Sequence, residues 1–148
     1  TPKSVSLTLD YPDLNATVDA MLGKNLGESD HRIPDLRKSL LDNSLDYTPE
    51  IIPGVAIFDA HTPLVSTTHI FIGIDHNGIS VPKTSGAIHV LILVINPDSS
   101  GLDEHFNRLN DVARLFRNQE MIKVLKNTQD EIEIVNVLHE RLSGQVQV

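Results

Sequence analysis

The chain has 148 residues, 40% of them apolar and 22% charged, which fits one soluble-type globular domain with room for a real core. Its net charge of −8, with dispersed acids and no basic run, argues against binding a nucleic-acid backbone, which needs clustered Lys and Arg. Cysteine is absent, so disulfides and thiolate chemistry are excluded, and no window reaches the roughly 18–20 apolar residues that span a bilayer. The chain starts Thr1-Pro2-Lys3 without Met, which suggests a piece of a longer protein, here treated as a single domain over 1–148.

In chain order, Val5, Leu7 and Leu9 alternate with Ser and Thr as a short strand does. Asp13 is placed to cap a helix with Leu14, Val18, Met21 and Leu22 inward, ending near Gly23. A second helix is expected over about 33–43, with Pro34 in its first turn and Leu36, Leu40 and Leu41 inward. A loop follows over 46–53. Strands are expected over 55–59, 67–75 and 87–95. Asn77-Gly78 reads as a hairpin turn that pairs the second of these with a short strand over 79–81. The third is apolar on both faces except at His89, as in a central strand covered by helices on both sides.

The last third reads as helical. Ser100-Gly101-Leu102-Asp103 has a capping-box look, with Phe106, Leu109, Val112 and Phe116 following at helical spacing. Met121, Ile122, Val124 and Leu125 suggest a shorter helix after Asn118. Thr128 and Glu131 suggest the start of a last one through Ile132, Val135, Leu138 and Leu142. Together the pattern predicts an α/β fold: a single layered domain with a mixed β-sheet flanked by helices on both faces.

The run Pro53-Gly54-Val55-Ala56-Ile57-Phe58-Asp59-Ala60-His61 resembles the active-site strand of the mannitol/fructose-type enzyme IIA domains of the bacterial sugar phosphotransferase system. In that family the run is approximately Pro-Gly-Val-Ala-Ile-Pro-His-Ala-Arg, and its His carries a phosphoryl group. Thr48 resembles part of the preceding loop, and Ala87-Ile88-His89-Val90-Leu91-Ile92 the central strand. Glu104-His105-Phe106, with Leu109, Ala113, Arg114 and Leu115, resembles the helix beyond it. The resemblance implies the family's fold. It also implies that Asp59 stands in place of the phosphoacceptor, with His89 beside it in the role of the second family His.

Asp59 and His61 lie two apart on a strand, so their side chains share a face. With His89 they would form one small-ligand pocket, to which the resemblance adds Thr48. Two readings of that pocket compete: a divalent-metal site, and a vestigial active site in which His89 donates to Asp59. We take the second, with no metal and no cofactor. Aspartyl phosphate is a real species, but its chemistry ordinarily needs a cation beside the carboxylate. Of the remaining histidines, His69 reads as a satisfied edge histidine, His31 and His76 as exposed, and His105 and His139 as surface or boundary residues. Arg108, Arg114 and Arg117 read as a solvated face paired with Asp111.

The resulting expectation is a non-catalytic, regulatory or ligand-sensing domain, the cytosolic appendage of a bacterial membrane transporter. Its partners would be the transmembrane portion of the same polypeptide, a second copy of itself, or a small anion or nucleotide. The alternative is an active phosphocarrier that uses His89 or His61.

Overall fold

The computed structural model describes Val5, Ser6 and residues 9–42, 48–127, 132–134 and 136. Its elements run β1 (Val5–Ser6), α1 (Leu14–Leu26), α2 (Ile33–Asp42), β2 (Glu50–Ile52), β3 (Val55–Thr62), β4 (His69–Ile79), β5 (Ile88–Pro97), α3 (Leu102–Phe116) and α4 (Gln119–Asn127). The expected last helix is seen at Ile132–Ile134 and Asn136, and the rest of it lies outside the described residues.

The five strands form one mixed sheet in the order β1-β4-β5-β3-β2. β5 lies at its centre, parallel to β3 and antiparallel to β4. Successive strand side chains point to opposite faces, and the burial follows that rule. Val90, Ile92 and Val94 pack with Val112 and Phe116 of α3 and Met121 and Leu125 of α4. Leu91, Leu93 and Ile95 pack with Val18 and Leu22 of α1 and Leu36 and Leu40 of α2. The expected α/β fold, with helices on both faces of a mixed sheet, is therefore present. Phe58 belongs to the second layer and is 1% exposed. Phe58, which the resemblance sets in place of a Pro, is thus a core filler, directed away from Asp59.

Asp13 caps α1 as expected, its Oδ1 accepting from the Ala16 backbone N–H at 2.8 Å. Three local expectations fail. The loop expected over 46–53 contains the short strand β2 at Glu50–Ile52, paired with β3. The Asn77-Gly78 pair is a bulge inside β4, where the register on β5 shifts between Ile74↔Val90 and Ile79↔Ile88. Buried Asp75 holds it, with Oδ1 accepting from the N–H groups of both Asn77 and Gly78 at 3.0 Å. Gly78 has φ +80°, the left-handed region that favours glycine. The same Asn-Gly preference serves hairpin turns and such bulges. The α3 N-cap is Gly101, and no side chain caps the helix, so the expected capping box is not formed.

Candidate functional site

β3 and β5 run parallel and end together, and α3 starts just after β5. The crevice at the carboxyl ends of such strands is a common place for ligand sites. Along β3, Ala56, Phe58 and Ala60 face α1 and α2, while Ile57, Asp59 and His61 face the other layer. Asp59 and His61 therefore share a face beneath the first turn of α3.

The side chain that meets Asp59 is His105. Its Nε2 lies 3.0 Å from Asp59 Oδ2, and the imidazole is only 3% exposed. His61 stacks on the same ring, with centroids 4.9 Å apart and planes 26° apart. His61 Nε2 donates to the Ser100 carbonyl at 2.7 Å, because a carbonyl can only accept. Behind His105, Asn96 Nδ2 donates to His105 Nδ1 at 2.7 Å. Asn96 Oδ1 accepts from Thr68 Oγ1 at 2.7 Å. Arg108 closes the chain. Its Nη1 donates to Thr68 Oγ1 and, at 3.4 Å, toward Asn96 Oδ1, and its Nη2 donates to Glu104 Oε1 at 2.7 Å. Asn96 and Thr68 are both buried.

Three expectations are corrected here. His89 does not join Asp59, because the parallel register sets Asp59 opposite Val94. Five residues of strand, about 16 Å at roughly 3.3 Å each, separate the two levels. His89 instead donates from Nδ1 to the Asp75 carbonyl at 3.0 Å, beside the β4 bulge. His105 is a buried member of the site, not a boundary residue, whereas Phe106 is 55% exposed. The buried stripe of α3 runs through residues 105, 109, 112 and 116, and that 4-3-4 spacing is the signal in the sequence that could have revealed it. Arg108 is not part of a solvated face. Asp111 pairs with Arg114 alone of the three arginines, at 3.6 Å on the surface.

Thr48 is exposed, and its hydroxyl accepts from the Glu50 backbone N–H at 3.2 Å. β2 runs antiparallel to β3, so Thr48 lies toward the Asp59 end of that strand without a described contact to the carboxylate. Among the described residues, no group of three or more His, Cys, Asp or Glu side chains is placed to hold a metal ion. The arrangement offers a carboxylate with a fixed N–H donor, a second imidazole with its Nδ1 edge turned from the Ser100 bond, and the uncapped start of a helix. That is machinery for orienting a polar group.

Residues 3–141 match the family model described as phosphoenolpyruvate-dependent sugar phosphotransferase system, EIIA 2. The chain belongs to this family. Solved EIIA-type structures share the fold of this EIIA 2 domain at low identity. The nitrogen regulatory protein IIA-Ntr of Neisseria meningitidis superposes with a TM-score of 0.79 at 14% identity, covering 93% of this chain and 94% of that one. The mannitol IIA of Escherichia coli gives 0.68 at 13% identity, covering 93% and 97%. The same organism's enzyme IIA in complex with phosphorylated enzyme IIB, both of the mannitol system, gives 0.64 at 15% identity, covering 96% and 95%. No curated protein matches this EIIA 2 domain by sequence. Among the described residues no helix is long and apolar enough to cross a membrane.

Proposed function

We propose that this EIIA-type domain is a non-catalytic regulatory or ligand-sensing module that acts on the transmembrane portion of a transporter in the same polypeptide, from its cytoplasmic side. The observation that carries the reading is the Asp59–His105 pair. Asp59, which the resemblance sets in the acceptor's place, is a carboxylate already holding an imidazole N–H. Both nitrogens of that imidazole are engaged, one by Asp59 and one by Asn96, so neither offers a lone pair to an incoming phosphorus. A phosphate or nucleotide would also meet the Asp59 charge and the acidic first turn of α3, Asp103 and Glu104, opposed by that helix's own N-terminal N–H groups. Regulation then requires that a ligand at this site bind one transporter state more tightly than the other.

The deciding experiment incubates the domain with phosphoenolpyruvate, enzyme I and the histidine phosphocarrier protein. The expected result is no stable phosphohistidine, and its formation overturns the non-catalytic reading. The reading frame upstream and downstream of the 148 residues tests the transporter link, which fails if it encodes no transmembrane segment.

One observation favours a second reading, an active phosphocarrier. With Nε2–H donated to the Ser100 carbonyl, a neutral His61 keeps its lone pair on Nδ1, the form a phosphoacceptor needs. In that case the partner would be an enzyme IIB like the one bound to the mannitol relative. His61→Gln would then abolish labelling while His89→Gln, at the other end of β5, would not.

A further inference from the structure

We propose that Asn96 and Arg108 together decide which nitrogen of His105 carries its proton, so that while Arg108 holds the Asn96 amide Asp59 faces an Nε2–H donor. This goes beyond the regulatory reading and holds whether or not the domain ever carries a phosphoryl group.

A neutral imidazole has one donor nitrogen and one acceptor nitrogen, and its neighbours choose between them. Asn96 is the neighbour on the Nδ1 side, and its amide can present either NH₂ or oxygen there. Arg108 settles which. A guanidinium only donates, and Arg108 Nη1 lies against Thr68 Oγ1 and Asn96 Oδ1. Thr68 takes the Arg108 proton on its lone pair and gives its own proton to Asn96 Oδ1. The amide oxygen is thus held toward Arg108, and the NH₂ toward His105 Nδ1. Nδ1 must then be the acceptor, which leaves the proton on Nε2, pointed at Asp59 Oδ2. A flipped amide would set an NH₂ against the guanidinium and leave two donors facing each other. His105, Asn96 and Thr68 are at most 5% exposed, so water does not readily substitute for a missing partner.

The far end of this chain reaches the surface. Arg108 is held by Glu104, whose side chain is 53% exposed. Drawing Arg108 outward, onto a stronger anionic partner, releases the amide to turn. Asn96 Oδ1 would then accept from an Nδ1–H tautomer, and because a carboxylate only accepts, the bare Nε2 would face Asp59 only with a proton taken up on the Asp59 carboxyl to donate to it. Arg108 and Asn96 are positioning residues in this scheme, acting on Asp59 through His105.

The test is long-range proton–nitrogen correlation NMR of the histidine rings in the intact 148-residue chain at neutral pH. The wild-type protein is expected to show His105 with a protonated Nε2 and a bare Nδ1. A dominant Nδ1–H form, or a ring protonated on both nitrogens, overturns the proposal without any variant being made. Asn96→Asp keeps the shape but offers only acceptors, and is expected to bring a proton onto Nδ1. Arg108→Met is expected to produce a second His105 signal set with the opposite tautomer, while Arg108→Lys, which restores a donor, retains the wild-type pattern. Arg108 is only partly buried, so its variants should fold even where Asn96→Asp does not. An Arg108→Met protein that is folded and still holds a single Nε2–H form overturns the role given to Arg108. Loss of packing alone would move neither tautomer selectively nor answer to Lys.

Discussion

His69 opens β4 half-buried, its ring tilted against Phe71 with centroids 5.7 Å apart. Burial, and then the positive charge of Arg32, pushes its pKa below the usual value of 6.5. The unfolded chain therefore takes up a proton there that the folded chain refuses, so stability is fully present above about pH 6.5 and falls as pH drops toward the folded pKa. Urea midpoints measured between pH 7.5 and 5 should fall, and His69→Gln should flatten part of that fall. Asp30 acts in a separate window. Its hydrogen bonds from Arg32 hold its carboxyl well below the usual range, so that contribution is lost only in stronger acid. His89→Ala should cost about 1 kcal/mol, the worth of its bond to the Asp75 carbonyl. It should leave the His61 and His105 NMR signals in place, because the two levels of the sheet do not touch. The nearness of Asp59 to His61 was legible in the sequence, since period two is a local property of a strand. That His105 and not His89 meets Asp59 was not, because strand register and helix placement join residues 46 apart; the stripe of α3 marks His105 as inward without saying what it meets.

At the scale of elements, each helix and strand was legible where its signal was repeated, and misread where one residue pair carried it. The apolar spacing of α1 and α2 and the cap at Asp13 predicted those helices nearly to their ends. Asp13→Ala should remove the bond to Ala16 and cost about 1 kcal/mol in urea unfolding. Asn77-Gly78 carried a turn signal, but Asp75 two residues earlier turned it into a bulge. Nothing local marks that difference. Gly78→Ala tests it at the level of the element. The φ of +80° is strained for Ala, and a Cβ would stand 2.8 Å from Ala87 Cβ and 2.9 Å from His89 Cε1. The expected loss is about 1–3 kcal/mol, whereas an exposed hairpin turn would lose less. α3 is anchored through Val112 and Phe116, each at most 1% exposed. Phe116→Ala should cost about 3–5 kcal/mol. It should also perturb the His105 signals, because the same stripe of the helix carries both.

For the whole molecule, the sheet divides the interior into two layers, and β5 contributes to both. Leu91 and Leu93 belong to the layer under α1 and α2, and Ile92 and Val94 to the layer under α3 and α4, all of them with no measurable exposure. The near-continuous apolar run over 90–95 made this central strand legible, because only a strand covered on both sides reads that way. Which helices cover which side was not, since every amphipathic helix fits either face equally well. The site depends on this layering. Asp59 and His61 come from β3, Asn96 from β5, Thr68 from the segment before β4, and His105 and Arg108 from α3, so its geometry survives only while α3 stays seated on the sheet. Leu91→Ala and Ile92→Ala should each cost about 2–5 kcal/mol. The two should differ in where they act. If the layers unfold as one unit, both variants lower amide hydrogen-exchange protection equally in α1 and in α3. If α3 and α4 form a separate unit that can lift from the sheet, Ile92→Ala lowers protection in α3 while α1 keeps its own. We expect the first result, because β5 hydrogen-bonds to β3 and β4 along its length and neither layer can open without disturbing the strand that holds the other.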